Sequence, residues 1–293
     1  MTALEVLEPG LLTTVQDRGR PGHAHLGVPP SGALDPPAAA LANRLVGNPA
    51  GHAVLETTLT GPLLRVQAPP DGGVLVAVTG APVDLHVDDR PQDTRVAVWV
   101  AAGSELRIGT ASAGMRSYLA VRGGIATDPV LGSRAHDVLS GLGPTPLVEG
   151  DVLPVGAAEG TVPGVDPVAV GQLDTSPVLR VLPGPRDDWF ADEAWEVLTG
   201  TAWEVSQDSN RVGVRLAGPK VPRRRTDQLP SEAVVTGSIQ VPQDGQPVLF
   251  LADHPTTGGY PVIGVVDEAS LPPAAQARPG TTLRFALDQR EPR

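Results

Sequence analysis

The sequence predicts a mainly β protein made of two related barrel- or sandwich-type domains with few short helices. Two observations predict the β class and a third the pairing. Glycine (34) and proline (32) are spread along all 293 residues, and they punctuate short Val/Leu/Ile runs, the pattern of many short strands joined by tight turns. Long helical periodicities do not alternate with those runs, which disfavours a doubly wound sheet. A set of short segments also recurs in the same order in both halves.

The clearest strands are expected at Val74–Val78, Arg95–Val100, Tyr118–Val121, Val248–Leu251 and Val262–Val266. One helix is expected to start after Asp35 as N-cap, with Pro36 in the first helical position. Leu34, Ala38, Leu41 and Leu45 recur at helical spacing, and Gly47 fits a stop. A second helix is expected from about Asp188 to Leu198, with Phe190, Ala194 and Val197 or Leu198 inward.

The recurrence begins with Leu4-Glu5-Val6-Leu7 and Leu179-Arg180-Val181-Leu182. It continues with Asn43-Arg44-Leu45-Val46-Gly47 and Asn210-Arg211-Val212-Gly213, then Leu59-Thr60-Gly61-Pro62 and Leu216-Ala217-Gly218-Pro219. Val78-Thr79-Gly80 and Val235-Thr236-Gly237 follow, at the same 19-residue distance from the preceding Gly-Pro glycine. Glu149-Gly150-Asp151-Val152-Leu153 and Pro279-Gly280-Thr281-Thr282-Leu283 complete the set. The order predicts an N-terminal domain over residues 1–160 and a C-terminal domain over 178–288. The Gly/Pro-containing stretch at about 161–177 reads as the linker.

Composition narrows the function. The formal net charge of −11 opposes general nucleic-acid binding, which calls for a cationic surface. The basic run Arg223-Arg224-Arg225 reads as a solvated loop. Cysteine is absent, which removes thiol catalysis and disulfide scaffolds and suits a reducing cytosol. The N-terminal stretch carries Glu5 and Glu8 without a basic n-region, and no apolar run has the length of a membrane span, so a cytoplasmic protein is expected. Lys220 is the only lysine, so Schiff-base chemistry has one candidate while arginine clamps for phosphate or carboxylate have many. P-loop, Gly-x-Ser-x-Gly and His-Glu-x-x-His patterns are absent. His23 and His25 lack a third ligand nearby, so no metal site is expected.

Three polar-dense stretches are the candidate sites. Thr13–Gly22, with Gln16, Asp17 and Arg18, reads either as an anion- or amide-binding loop or as a hairpin whose Asp and Arg pair with each other. Val28–Asp35, with Ser31, leads into the Asp35 helix, whose N-terminus could hold an anion or could simply be capped by Asp35. Ala252–Pro261, with Asp253, Thr256, Thr257, Gly258, Gly259 and Tyr260, reads as an anion nest or as a decorated turn.

Together these stretches resemble the biotin-dependent carboxyltransferase-like family that includes the C subunit of 5-oxoprolinase, the KipI antagonist and allophanate-hydrolase-subunit-2-like proteins. The resemblance rests on Thr14–Arg20, Gly27-Val28-Pro29, Ser31–Asp35, Ala42–Asn48, Leu55-Glu56, Gly61-Pro62, Tyr118–Ile125 and Gly132-Ser133-Arg134. In the second half it rests on Ser209–Leu216, Gly237–Pro242 and Thr256–Pro261. Asn210 and Pro255 depart from the family pattern, where aspartate and glutamine are expected.

The resemblance implies cyclophilin-like β-barrels and ATP-dependent opening of 5-oxoproline to L-glutamate. It also implies two partners: a KipI-like B subunit, joined in a heterotetramer, and a LamB/YcsF-like A subunit, with ATP shared between partners. On it, Arg18, Arg211 and Arg215 bind carboxylate or phosphate, helped by Gln16, Ser31 and Asp35. Asp17 and Asp253 orient them or shuttle protons, Thr256–Gly259 form the nest, and Tyr260 and Gln240 hydrogen-bond the amide. Two other readings stay open: a regulatory module that antagonises a KipI-like kinase inhibitor, and a carboxyltransferase using biotin on urea or a related amide. The latter is weakened because Lys220 lacks the Met-Lys-Met flanks of a biotin carrier.

Overall fold

The computed structural model describes residues 2–162, 164 and 173–288. Most of the expected linker lies outside the described residues. The chain is mainly β and divides into two units. One comprises Met1–Arg20, Ser31–Asp137 and Gly141–Leu173; the other comprises Pro21–Pro30, Val138–Ser140 and Asp174–Arg293.

The first unit contains β1 (Ala3–Glu8), β2 (Leu12–Gln16), α1 (Pro36–Leu45), β3 (Val54–Thr58), β4 (Leu63–Gln67), β5 (Gly73–Gly80) and β6 (Leu85–Val87). It continues with β7 (Arg90–Gln92), β8 (Val98–Ala101), β9 (Glu105–Ile108), β10 (Arg116–Val121) and β11 (Val152–Pro154). These strands form a six-stranded sheet, β11-β1-β4-β9-β6-β7, and a five-stranded sheet, β2-β3-β10-β5-β8. The two sheets share one core: Leu4, Val6, Leu64, Val66, Leu106 and Ile108 come from the first, and Val15, Leu55, Val76, Val78, Leu119 and Val121 from the second. The first unit is thus a sandwich of two sheets, where the resemblance led us to expect a closed barrel.

Every residue of β10 is buried. Leu119 and Val121 face the core between the sheets, while Tyr118 and Ala120 face α1. A strand covered on both faces loses its polar alternation. Asp35 caps α1 as expected, its carboxylate accepting from Ala38 N at 3.1 Å, and Gly47 (φ 74°) follows the helix end. The buried stripe of the helix is Ala39, Ala42, Asn43 and Leu45; of the expected line Leu34, Ala38, Leu41 and Leu45, the two ends are buried and the two middle positions only partly so. Alanines bring the helix close to the sheet, and Ala38 and Leu41 fall at its margin.

The second unit contains β12 (Val178–Pro183), α2 (Ala194–Gly200), β13 (Trp203–Val205), β14 (Gly213–Ala217), β15 (Glu232–Ala233) and β16 (Ser238–Gln240). After these come β17 (Val248–Phe250), β18 (Thr257–Gly258), β19 (Val262–Val266), α3 (Pro272–Gln276) and β20 (Thr282–Leu287). Seven strands close a barrel in the order β12-β19-β16-β17-β14-β13-β20. Leu179, Val181, Trp203, Val214, Ile239, Leu249 and Phe285 are buried in it, alternating along their strands with more exposed neighbours.

The expected helix from Asp188 is split. Asp187–Trp189 forms a single 3-10 turn, Phe190 is extended (φ −106°, ψ 156°), and α2 begins only at Ala194. Tertiary pairing explains the break: Ala191 N donates to Pro222 O, and Arg224 N and Arg225 N both donate to Trp189 O. The arginine run is exposed at Arg224 and Arg225, as a solvated loop should be, but its backbone is tied to Trp189. Arg225 lies 4.4 Å from the centroid of the buried Trp189 ring, a cation–π distance.

Candidate functional site

The candidate residues fall into two groups, one in each unit. In the first, Thr14 and Gln16 sit two apart on β2 and so share one face of the strand. Gln16 Nε2 donates to Thr14 Oγ1 (3.0 Å) and to His136 O (2.9 Å). Ser31 Oγ donates to the same His136 carbonyl at 3.1 Å, and His136 N donates to Val15 O at 2.9 Å. Asp17 accepts from Gly19 N (2.7 Å), Ser133 Oγ (2.5 Å) and Arg134 N (2.6 Å). Ala33 N donates to Asp17 O at 3.0 Å. The structure thus brings Gln16, Asp17 and Ser31 together around the segment Ser133–His136.

The expected Asp–Arg pairing inside Thr13–Gly22 is not made. Asp17 spends its oxygens on backbone and serine, and Arg18 is exposed, with its stem beside Gly51. Arg20, which belongs to the Thr13–Gly22 stretch but not to the candidate site residues, is fully buried. It donates through Nε to Val130 O (3.3 Å) and through Nη2 to Ala135 O. Gly143 closes on that same carbonyl: a Cβ there would come within 2.1 Å of Ala135 O, at φ +91°. Gly143→Ala is expected to cost about 2–3 kcal/mol from left-handed strain and the backbone clash, measured as a shift in urea midpoint.

Asp35 stands apart from this cluster, at the start of α1. Pro36 and Pro37 carry no N–H, Ala38 N is held by the Asp35 carboxylate, and Ala39 N donates to Asp35 O. The first helical turn therefore keeps no backbone donor for an anion, and Asp35 acts as cap. Beneath it, Glu56 Oε2 accepts from Leu34 N (2.9 Å) and from Tyr118 Oη (2.9 Å), and Tyr118 Oη accepts from Asp35 N (2.8 Å). Burial, then the neighbouring Glu56 and Asp35 charges, push the Tyr118 phenol well above its ordinary value, so it stays a donor.

In the second unit, Arg211 and Asp253 are almost completely buried and form a two-pronged ion pair: Nε to Oδ2 at 2.8 Å and Nη2 to Oδ1 at 3.1 Å. Val138 N also donates to Asp253 Oδ2 at 3.0 Å. These groups position each other, so Arg211 is not an open cation and Asp253 is not an open base. Arg215 is exposed and makes no ion pair among the described residues. With Gln207, Asp208, Ser209 and Asn210 it lines an open polar cleft of about 510 Å³. Asn210, which departs from the family pattern, braces its own turn, with Oδ1 accepting from Val212 N at 2.8 Å and from Gly213 N.

Arg215 and Gln240 both stand opposite Val248 in the ladder β14-β17-β16. Directly opposed residues share a face, and their neighbours Val214, Leu249 and Ile239 are the buried ones. Arg215, Val248 and Gln240 therefore form a row on the outside of the barrel. The glycine-rich segment is held at the end of that row. Gln240 Nε2 donates to Tyr260 O at 2.9 Å, and a Cβ on Gly258 would come within 2.4 Å of that nitrogen. Thr257 and Gly258 are strand residues paired with Ala233 and Glu232. Neither Gly258 nor Gly259 has the left-handed φ that turns successive N–H groups inward, so the expected nest is a flat two-stranded ribbon instead. Arg186 fixes this ribbon through a two-pronged bond to Glu232, which holds that carboxyl below its usual range. Thr256 and Tyr260 flank the ribbon, and Tyr260 is exposed.

His23 and His25 lie with ring centroids 6.5 Å apart. Among the described residues no three His, Asp or Glu side chains cluster as metal ligands, and no helix is long and apolar enough to cross a membrane.

Residues 26–287 match the family model described as carboxyltransferase domain, subdomain A and B. The chain is 38% identical over 285 residues to the C subunit of 5-oxoprolinase from Escherichia coli, covering 96% of this chain and 90% of that protein. It is 35% identical over 310 residues to urea amidolyase of Lachancea kluyveri, covering 97% of this chain but 17% of the relative. The crystal structure of TTHA0988 superposes with a TM-score of 0.88 at 38% identity, covering 98% of this chain and 56% of that one. The chain therefore spans nearly all of one relative and only part of the other two. The chain belongs to the carboxyltransferase-domain family.

Proposed function

We propose that this chain is the C subunit of an ATP-dependent 5-oxoprolinase, working with KipI-like B and LamB/YcsF-like A subunits. The observation that carries this reading is coverage: the match extends over 90% of a protein named as the C subunit of 5-oxoprolinase. A lactam is a poor electrophile because its nitrogen donates into the carbonyl. Transfer of the ATP γ-phosphoryl group to the carbonyl oxygen gives an activated imidate and ADP. Water then attacks the ring carbon and the C–N bond opens, the nitrogen leaving as the protonated amine and the carbon remaining as an acyl phosphate; a second water cleaves that acyl phosphate to glutamate and phosphate. The role of this chain is to hold the anionic groups in line. Arg215 and Arg18, with exposed guanidiniums, are its cations for phosphate or carboxylate, while the Arg211–Asp253 pair sets the loop from which the Thr256–Tyr260 segment departs. A second reading, carboxyl transfer to urea or a related amide from a biotin carried on another chain, is favoured by the urea amidolyase relative.

In a coupled assay, ATP and 5-oxoproline are given to the purified A, B and C subunits, and glutamate and phosphate are measured. Equimolar glutamate and phosphate are expected, with Arg215→Ala lowering kcat/KM by about tenfold or more through loss of a charge-assisted contact. No glutamate with all three proteins present would sink the reading.

A further inference from the structure

The buried polar atoms of the first unit that have no hydrogen-bond partner among the described residues include Nη1 of Arg20 and Oε1 of Gln16. Both side chains are at least 99% buried. Arg20 is anchored through Nε on Val130 O and Nη2 on Ala135 O, and Gln16 through Nε2 on Thr14 Oγ1 and His136 O. The two anchors Ala135 O and His136 O are consecutive carbonyls, so both side chains hold the same short stretch of backbone. Arg20 has no carboxylate within ion-pair distance among the described residues. A guanidinium cannot shed its proton to escape burial, and a buried cation without a counter-charge is costly. An anionic oxygen on Nη1 removes that cost, and an N–H on Gln16 Oε1 satisfies the acceptor.

Val130, whose carbonyl accepts from Arg20 Nε, opens a two-residue hairpin. Val130 and Ser133 exchange both backbone hydrogen bonds, and the residues between them, Leu131 (φ 51°) and Gly132 (φ 80°), both have positive φ. That is the primed turn, which favours Asn or Gly in its first central position. Leucine there is strained, and it is 40% exposed, with no core to hold it.

We propose that Arg20 Nη1 is an oxyanion subsite for a small carboxylate that also carries an N–H, and that the Val130–Ser133 turn is its lid. Arg20 binds the carboxylate, Gln16 accepts from the N–H, and the strain at Leu131 keeps the turn easy to open. A free inorganic phosphate offers the same oxyanion without the N–H. The choice of probe, though not the subsite, rests on the function proposed above.

The test titrates L-5-oxoproline, and separately inorganic phosphate, into the full chain by calorimetry. Saturable binding of 5-oxoproline is expected. Arg20→Gln should weaken it by at least about tenfold, the usual scale for a lost charged hydrogen bond. Leu131→Asn relieves the strain of the closed turn, so it should raise Tm and slow association about fivefold. Should Arg20→Gln fail to fold, the Leu131→Asn association rate decides. Absence of saturable binding, binding of phosphate alone, wild-type affinity in Arg20→Gln, or an unchanged association rate in Leu131→Asn each overturns the proposal. Arg20-dependent binding without turnover in the coupled assay would leave the subsite standing and remove the 5-oxoprolinase reading. Turnover with wild-type kcat and KM in Arg20→Gln would do the reverse.

Discussion

Replacing Arg211 by alanine is expected to destabilise the fold by about 3–5 kcal/mol, because the Asp253 carboxylate then stays buried without its guanidinium. Both side chains are at most 2% exposed, and both prongs of the pair have good geometry, at 2.8 and 3.1 Å. Asp253→Ala should cost as much, since it also takes the acceptor from Val138 N. The pair itself need not be a net gain. Desolvating two charges offsets most of their attraction, so an apolar pair of similar volume is often no worse. Arg211→Met combined with Asp253→Leu is therefore expected to regain much of the loss from either single change. Urea unfolding of the four proteins closes the cycle. A strictly additive double variant would mean that the two groups do not act as a pair. If the double variant is stable yet inactive in the coupled assay, the pair's contribution lies in positioning the Asp253–Tyr260 segment.

The parts of the fold legible in the sequence are those set by local chemistry. The Asp35 cap, the prolines after it and Gly47 act within a few residues of the helix they bound, and α1 runs between them. The strands at Val74–Val78 and Val262–Val266 are marked by β-branched runs between turn residues, and both lie within observed strands. The split of the Asp188 helix was hidden because its cause, pairing with Pro222–Arg225, lies some thirty residues away. The candidate site was legible as segments but not as atoms. Polar density looks the same whether the groups bind a ligand or a backbone. Gln16 reaches His136 across 120 positions and Asp17 reaches Ser133 across 116, and no local pattern carries such a contact. Arg20 is absent from the candidate site residues for the same reason. Its burial rests on the return of Val130–Ala135, across 110 and 115 positions.

Glu56 is the second position where a single change should be severe. Its carboxylate accepts from Leu34 N and Tyr118 Oη and lies 3.5 Å from Arg116 Nε, with every side chain in the set buried. Glu56→Ala strands these donors and is expected to cost about 3–5 kcal/mol, the range for breaking a buried charge pair. Tyr118→Phe removes one hydroxyl that both donates to Glu56 and accepts from Asp35 N, and about 1–2 kcal/mol is expected. The two changes also differ in pH dependence. The Tyr118 phenol is raised above 10.0 in the folded chain, chiefly by burial and then by the Glu56 and Asp35 charges. The unfolded phenol loses its proton near its ordinary value, while the folded one keeps it. Folded chains then bind more protons than unfolded ones, so this contribution is whole below that pH and shrinks as pH rises towards the folded value. Each pH unit in that window should remove up to about 1.4 kcal/mol from the wild type, and none through this group from Tyr118→Phe. Urea unfolding of both proteins from about pH 8 to about pH 11 measures the difference in slope. Parallel slopes would show that the phenol titrates alike in both states, and the buried Tyr118–Glu56 bond would then not be what holds Leu34 and Asp35 at the start of α1.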